Sequence, residues 1–168
     1  MSATTPTTPT NPTLAILTGG WQTYQERLAQ ALAPLTLEQV TLRAAANLRS
    51  IDQLARHIIG VRSAWFHHAL SIGDDDFAAY SAWNDPEGAP RPGSELAAGL
   101  TATWAVVQTA LEGFTPEYME ETFERERRGQ THTLIRGWVV WHVIEHDLHH
   151  GGELGYSLGM HGLAAPDI

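Results

Sequence analysis

The chain has 168 residues, of which 43% are hydrophobic and 17% charged, with a formal net charge of −9 and no cysteine. This length suits one domain with a hydrophobic core, and the lack of cysteine excludes disulfides, thiolate metal ligands and a cysteine nucleophile. The acidic balance argues against nucleic acid as a partner. With no apolar run of about 18 residues and no secretion signal, we expect a cytoplasmic protein that does not enter the membrane.

Predicted helices follow a Thr/Pro-rich tail. Residues 1–12 have little apolar surface to bury and are predicted to be disordered, which leaves 13–168 as a single domain. Helix one is predicted from Leu14, where apolar residues recur at steps of three and four until Pro34. Capping-box patterns at Thr36–Gln39 and Ser50–Gln53 predict a short helical turn and then helix two, which runs to about residue 71.

The middle of the chain is predicted to contain a long loop, a third helix and a hairpin. Residues 73–93 are rich in Asp, Gly and Pro, so we expect a crossover loop with Asp74, Asp75 and Asp76 in solvent. Ser94 is predicted to cap helix three. An alternating pattern on either side of Arg128-Gly129 predicts a small exposed hairpin before helix four.

Helix four is predicted to begin near Thr133, to end near Leu158 and to hold His142, His146 and His150 in one row. Residues four apart on a helix lie one turn apart and differ by only about 40° in direction. The opposite face is apolar or small, as expected where another helix packs: Trp141, Ile144, Leu148, Gly151, Gly152 and Gly155. Four helices of roughly 20 residues without strands for a larger sheet predict an all-α four-helix bundle.

The histidine row is a candidate metal site. Two histidines four residues apart can hold one ion with both imidazoles, and the pairs 142/146 and 146/150 both fit; alternatively, the histidines line a polar core or face solvent. A third ligand must come from another helix. His57, in LARHIIG, is the best candidate, although a single histidine among apolar residues is more often a hydrogen-bonded core residue.

The segment RGWVVWHVIEHDLHHGGEL resembles the last helix of the DinB-like (DinB/YfiT) superfamily of small metal-binding helical proteins, and SIDQLARHIIGVRSAWF resembles its second helix. The resemblance covers essentially the whole chain after the tail and implies a four-helix bundle with a non-sequential connection. It also implies a divalent metal held by His57, His146 and His150, with His142 in the pocket wall. Three imidazoles leave a position open to water or substrate, which is typical of a catalytic site, and they suit Zn²⁺, Ni²⁺ and Fe²⁺ alike.

Characterised relatives include thiol-dependent transferases and isomerases, so the resemblance implies a metal-dependent S-transferase that joins a low-molecular-weight thiol to an electrophile. Alternatives are a metal-dependent hydrolase, with Glu153 as its candidate general base, and a non-catalytic, stress-linked metal-binding protein. Arg56, Arg62 and Arg136 are candidates to bind a thiol's carboxylates, although each is more simply explained as an exposed arginine with solvent partners. Relatives are often homodimers, so we expect a symmetric homodimer.

Overall fold

The computed structural model describes residues 11–127 and 129–167, and the prediction of a mostly helical chain is confirmed. In chain order, the elements are α1 (Pro12–Leu32), α2 (Leu37–Val40), α3 (Ile51–Ser63), α4 (Asp75–Ala79), α5 (Gly93–Glu112), α6 (Pro116–Glu120), β1 (Thr122–Arg127), β2 (Gln130–Ile135) and α7 (Arg136–Met160). A π-helical segment, Ala64–Ala69, extends α3, and a 3₁₀ segment, Tyr80–Asn84, extends α4. The tail predicted over residues 1–12 lies outside the described residues except for Asn11 and Pro12, which cap and begin α1.

Side-chain caps fix the beginnings of α2 and α3. Thr36 and Ser50 accept hydrogen bonds from the backbone N–H groups of Gln39 and Gln53, whose side chains accept in return from the cap residues. Each capping box satisfies backbone donors that have no partner within the first helical turn. The two predicted capping boxes are therefore confirmed.

The segment between α3 and α5 is not one long loop, and the prediction of a loop over residues 73–93 is wrong in this respect. Asp74 accepts a hydrogen bond from the Phe77 backbone N–H at 2.9 Å and so begins α4. Phe77 is buried, and its carbonyl oxygen accepts a hydrogen bond from the Ser63 hydroxyl at 2.7 Å. Burial of this one aromatic side chain folds part of an Asp-rich segment onto α3, while the three aspartates remain exposed.

Two predicted helix starts also differ from the structure. Helix α5 begins at Gly93, one residue before the predicted cap Ser94. Helix α7 begins at Arg136 rather than near Thr133, because Thr133 lies opposite Glu124 in the antiparallel ladder between β1 and β2. The hairpin therefore takes residues that could otherwise have begun the helix.

The hairpin of β1 and β2 packs beside the π-helical extension of α3. Its turn contains Gly129 with φ of +74°, a left-handed conformation that favours glycine. The Arg125 guanidinium lies over the Trp65 ring, 3.7 Å from its centroid, a cation–π arrangement. The hairpin thus covers one end of α3 next to the start of α7.

In the described part of the chain, the long helices α1, α3, α5 and α7 surround the hydrophobic core, and none is long and apolar enough to cross a membrane. Helix α1 packs along α5, and α3 packs against both α5 and α7. Burying a large apolar side chain contributes roughly 1.5–3 kcal/mol. The contact between α3 and α7 buries apolar side chains of one core cluster, among them Leu54, Ile58, Leu154 and Leu158. It places the helix of His57 directly against the helix of His146 and His150.

A buried ion pair connects the long helices at the level of the histidines. The side chains of Arg62 and Asp147 are both 0% exposed, and Arg62 Nε donates to Asp147 Oδ2 at 2.7 Å. Trp21 Nε1 donates to the same oxygen at 2.7 Å, and Arg62 Nη1 donates to the Leu100 carbonyl at 3.1 Å. The contact thus joins α1, α3, α5 and α7. The expectation that Arg62 is exposed is wrong, because the arginine has a carboxylate partner on another helix.

The face of α7 opposite the histidines is only partly covered. Gly151 packs closely inside the chain, since a β-carbon there would lie 2.2 Å from the Tyr24 hydroxyl. Trp141 and Leu148, however, are 55% and 47% exposed, and Gly152 is exposed. Within the described chain, the close packing expected for this face is therefore found at Gly151 but not at Trp141, Leu148 or Gly152.

Candidate metal centre

Three histidine side chains from two packed helices meet at one point. His57 lies on α3, while His146 and His150 lie one turn apart on α7. The ring centroids are 4.6 Å (57–146), 4.5 Å (57–150) and 4.4 Å (146–150) apart. One ring nitrogen of each lies within 4.8 Å of those of the other two, so this group could hold a metal ion. The structure thus brings together the three residues that the sequence resemblance assigns to the metal.

The orientation of His57 directs its Nε2 atom, with a lone pair that can bind a metal ion, towards the other two histidines. Its Nδ1 lies 2.6 Å from Asn84 Oδ1, and because an amide oxygen only accepts, Nδ1 carries the proton. In the neutral ring Nε2 is then unprotonated. His57 Nε2 is 2.9 Å from His146 Nε2. Two nitrogens bound to one ion, each at about 2.0–2.1 Å, are roughly 3 Å apart when they subtend a right angle at the ion, so this separation suits shared ligation.

A carboxylate orients His150 in a similar way. Its Nδ1 donates to Glu153 Oε2 at 2.7 Å, and His149 Nε2 lies 3.5 Å from the other Glu153 oxygen. A carboxylate on the distal nitrogen is the usual partner of a histidine that binds metal, because it fixes the tautomer and the ring plane. The Glu153 carboxylate is thus engaged by two histidines. Burial acts to raise the pKa of Glu153, but the hydrogen bond from His150 and nearby positive charge outweigh it, and the pKa is lowered.

Lowered pKa values favour the neutral form of His57 and His150, which is the form that metal ligation requires. The pKa of His57 falls from 6.5 to about 4. Burial is the main cause, and the positive charge of Arg49 acts in the same direction, against the hydrogen bond with Asn84. Burial likewise lowers the pKa of His150. A set of neutral imidazoles with oriented rings fits a divalent transition metal.

The comparison with known proteins places the chain in a family. The sequence profile of the DinB superfamily matches residues 21–154, a range that includes His57, His146 and His150. The chain belongs to the DinB superfamily. Among solved structures, a DinB-like protein from Bacillus cereus ATCC 10987 is similar in fold, with a TM-score of 0.69 and 17% sequence identity over 90% of this chain and 95% of that chain. No curated protein matches this DinB-superfamily member.

In this DinB-superfamily protein, Asn84 reaches His57 because Gly60 lets the 3₁₀ segment approach α3. A β-carbon at position 60 would lie 2.7 Å from the Asn84 Cβ and 2.9 Å from the Asn84 backbone nitrogen. Such distances are shorter than van der Waals contact, so any larger residue would displace the segment. The glycine, one turn after His57, thus determines the position of the residue that orients the ligand.

Arg56 fixes the same segment and is not the exposed arginine that the sequence suggests. Its side chain is 3% exposed and pairs with Asp52 at 2.8 Å. Its guanidinium also donates to the carbonyl oxygens of Trp83, Asp85 and Gly88, at 2.9, 2.5 and 3.2 Å. All these contacts are with the protein itself, so Arg56 supports the wall of the cleft beside His57.

The remaining predicted site residues lie outside the three-histidine group. The His142 ring stacks on Trp138 with 4.8 Å between centroids and 6° between planes, and its centroid is 6.3 Å from that of His146. Arg136 pairs with Glu121 at 3.0 Å and donates to the Tyr118 hydroxyl at 2.8 Å. The expectation of solvent partners for Arg136 is therefore wrong.

Sequence reasoning missed several residues that shape the site. A cleft of about 400 Å³ opens beside His57, and its lining includes Arg43, Asn47, Arg49 and Asn84. Asn84 lies 27 positions after its partner His57, and no periodic pattern connects the two. The WNDP sequence around Asn84 is typical of a turn, which indicates the local conformation but not its neighbours.

Proposed function

We propose that this DinB-superfamily protein binds one divalent metal ion through the Nε2 atoms of His57, His146 and His150, and that it is an S-transferase for a low-molecular-weight thiol. The observation that carries the proposal is the convergence of the three rings, two of which have their Nδ1 atoms occupied by Asn84 and Glu153. We further propose that the long helices form the four-helix bundle of DinB/YfiT type, with the segment predicted over residues 73–93 as its crossover connection.

The chemistry of the site follows from its charge and openness. An ion held by His57, His146 and His150 would keep its double positive charge, because the imidazoles are neutral, and would lower the pKa of a thiol brought next to it. Asn84 and Glu153 hold the rings of His57 and His150, so the ligand positions do not need to reorganise. The cleft beside His57 admits a small molecule. The sulfur then forms a bond to the electrophilic carbon, whose leaving group departs with its electron pair, and the thiol proton passes to solvent. The chain has no cysteine, so the sulfur must come from the cosubstrate.

The engagement of Glu153 favours transfer over hydrolysis. A hydrolase needs a base that takes a proton from water, and a base is most effective when its pKa lies near the working pH. Glu153 accepts from His150 at 2.7 Å and has a lowered pKa, which makes it a weak base. We therefore assign Glu153 to positioning His150. The cleft next to His57 favours a catalytic role over storage of the ion.

The test is turnover of an electrophile in the presence and absence of thiol. Metal-loaded protein is incubated with a chlorinated aromatic compound or an epoxide, with and without bacillithiol, mycothiol or glutathione. We expect product only when metal and thiol are both present, and none from a His146→Ala variant. A His161→Ala variant, whose ring contacts the Arg43 carbonyl, should retain activity. Equal turnover without thiol would establish a hydrolase, and no turnover on a broad panel would favour a non-catalytic protein.

We also propose that the protein is a symmetric homodimer. The outer face of α7 exposes Trp141 and Leu148, which no other part of the described chain covers. Large aromatic residues are enriched in protein interfaces, and a two-fold contact uses the same patch on both subunits. The exposed face of α7 is therefore the proposed dimer contact.

A further inference from the structure

The loop between α2 and α3 presents one arginine to the metal-site cleft from a fixed backbone. Arg43 and Ser50 form an isolated antiparallel bridge, and the Ile51 backbone N–H donates to the Leu42 carbonyl at 3.1 Å. The Arg43 guanidinium also donates to the carbonyl oxygen of Leu48 inside the loop. These contacts hold the loop on both sides of residue 49.

Arg49 differs from the other arginines of this region because its guanidinium is not used by the fold. Arg56 is saturated by Asp52 and backbone carbonyls, and Arg43 binds a carbonyl of its own loop. Arg49 is exposed. Within residues 11–127 and 129–167, its side chain has neither a hydrogen bond nor an ion pair. A strongly hydrogen-bonding cation is thus available to a ligand.

The position of Arg49 connects this free cation to the histidines. It lines the cleft of about 400 Å³ that contains His57 and also the adjoining cleft of about 230 Å³ that contains Glu153. Its charge contributes to lowering the pKa of His57 and His150, which places it within electrostatic reach of both rings. A molecule that reaches the three histidines through the larger cleft therefore passes the guanidinium.

We propose that Arg49 binds the carboxylate of the cosubstrate, so that the thiol accepted by this protein is one that carries a carboxylate. This inference rests on the proposed function, because it identifies the residue that binds the carboxylate end of the thiol whose sulfur reaches the ion. The guanidinium fork matches the two oxygens of a carboxylate. The exposed amide of Asn47 lies in the same cleft and adds a hydrogen-bond donor. The neighbouring Glu153 carboxylate disfavours a doubly charged phosphate at the same place.

The test compares two thiols that differ only at the far end. The affinities of 3-mercaptopropionate and 3-mercaptopropan-1-ol for the metal-loaded protein are measured by isothermal titration calorimetry. We expect the carboxylate to bind about tenfold more tightly, which corresponds to about 1.4 kcal/mol, because the guanidinium donates charge-assisted hydrogen bonds to it. In Arg49→Gln, the preference for 3-mercaptopropionate should vanish while the affinity for the alcohol stays the same. Arg49→Lys should keep part of the preference for the carboxylate.

The matched control is Arg27→Gln, which removes the same charge from α1, outside the two clefts that Arg49 lines. It should keep the preference, and Arg49→Gln should keep the wild-type melting temperature. A wild-type protein that binds both thiols with equal affinity would overturn the proposal, as would a preference that survives in Arg49→Gln.

A second measurement separates this inference from the proposed function. Glutarate, glutaramide and inorganic phosphate are titrated into metal-free protein, and the Arg49 Nε–H signal is followed by NMR. Glutarate should shift the signal, and glutaramide should not. If thiols fail to bind the loaded protein but glutarate shifts Arg49, the S-transferase proposal fails and the carboxylate site stands. Absence of a glutarate shift, or tighter binding of phosphate, would refute the carboxylate site.

Discussion

Removal of the Asp147 carboxylate should destabilise the protein strongly. In Asp147→Ala the Arg62 guanidinium, which is 0% exposed, loses the carboxylate at 2.7 Å, and Trp21 Nε1 loses its acceptor at 2.7 Å. Removing one partner of a buried ion pair costs about 3–5 kcal/mol, because the remaining charge is left without compensation. For a chain of this size, each kcal/mol lowers the melting temperature by about 2–4 °C, so we expect a fall of roughly 6–20 °C.

Urea unfolding followed by circular dichroism measures this loss. The matched control is Glu95→Ala, which removes a carboxylate from the pair with Arg91; those side chains are 33% (Arg91) and 42% (Glu95) exposed. An exposed pair contributes about 0–1 kcal/mol. The double variant Arg62→Met/Asp147→Leu should lose less than Asp147→Ala, since it leaves no buried charge. A loss below about 1 kcal/mol in Asp147→Ala would show that the pair does not join the helices as argued.

Three further predictions concern the metal, pH and assembly. Plasma emission spectroscopy after dialysis should find about one divalent ion per chain and almost none in His146→Ala; unchanged metal content in that variant would refute the ligand assignment. The pKa of His57 is lowered from 6.5 to about 4 in the folded protein. As the pH falls, His57 is therefore protonated in the unfolded chain before it is protonated in the folded chain. In metal-free protein, the contribution of His57 to the free energy of unfolding should be fully present above pH 6.5 and should be lost as the pH falls towards 4. Urea titrations of His57→Gln at several pH values should show a smaller loss of stability over this range. Sedimentation should give a dimer that Trp141→Glu dissociates, whereas a wild-type species at 18.4 kDa at all concentrations would rule out the dimer.

The helical parts of the site could be predicted because they depend on local periodicity. A spacing of four residues fixes His146 and His150 on one face of any helix, whatever the helix packs against. Capping boxes at Thr36 and Ser50 are local in the same sense, since donor and acceptor are three residues apart. For this reason the helix starts at residues 37 and 51 agree with the sequence patterns.

The contacts that surround the ligands depend on packing between distant segments. Arg62 and Asp147 are 85 positions apart, and a charged residue taken alone is mostly exposed. Arg49 becomes relevant only because it lines two clefts together with residues of α3 and α7, a position that no motif encodes. The start of α7 differs from the position that the sequence predicts for a related reason, since pairing of Thr133 with Glu124 competes with helix formation.

Arg56 stabilises the cleft wall through the backbone, so the stability of the wall does not depend on the side chains that determine which ligand the cleft selects. The guanidinium donates hydrogen bonds to the carbonyl oxygens of residues 83, 85 and 88. Every residue has a backbone carbonyl, so these bonds do not require a particular side chain as acceptor. The exposed side chains of Asp85 and Pro86, which line the cleft, can therefore change without loss of the wall. Trp83, in contrast, packs against the core, and a β-carbon at Gly88 would lie 2.9 Å from the Arg56 guanidinium. New ligand preferences can arise here, by natural divergence or by design, at little risk to the metal centre. Libraries aimed at altered substrate range should randomise residues 85 and 86 and keep Arg56, Gly60, Trp83, Asn84 and Gly88 fixed.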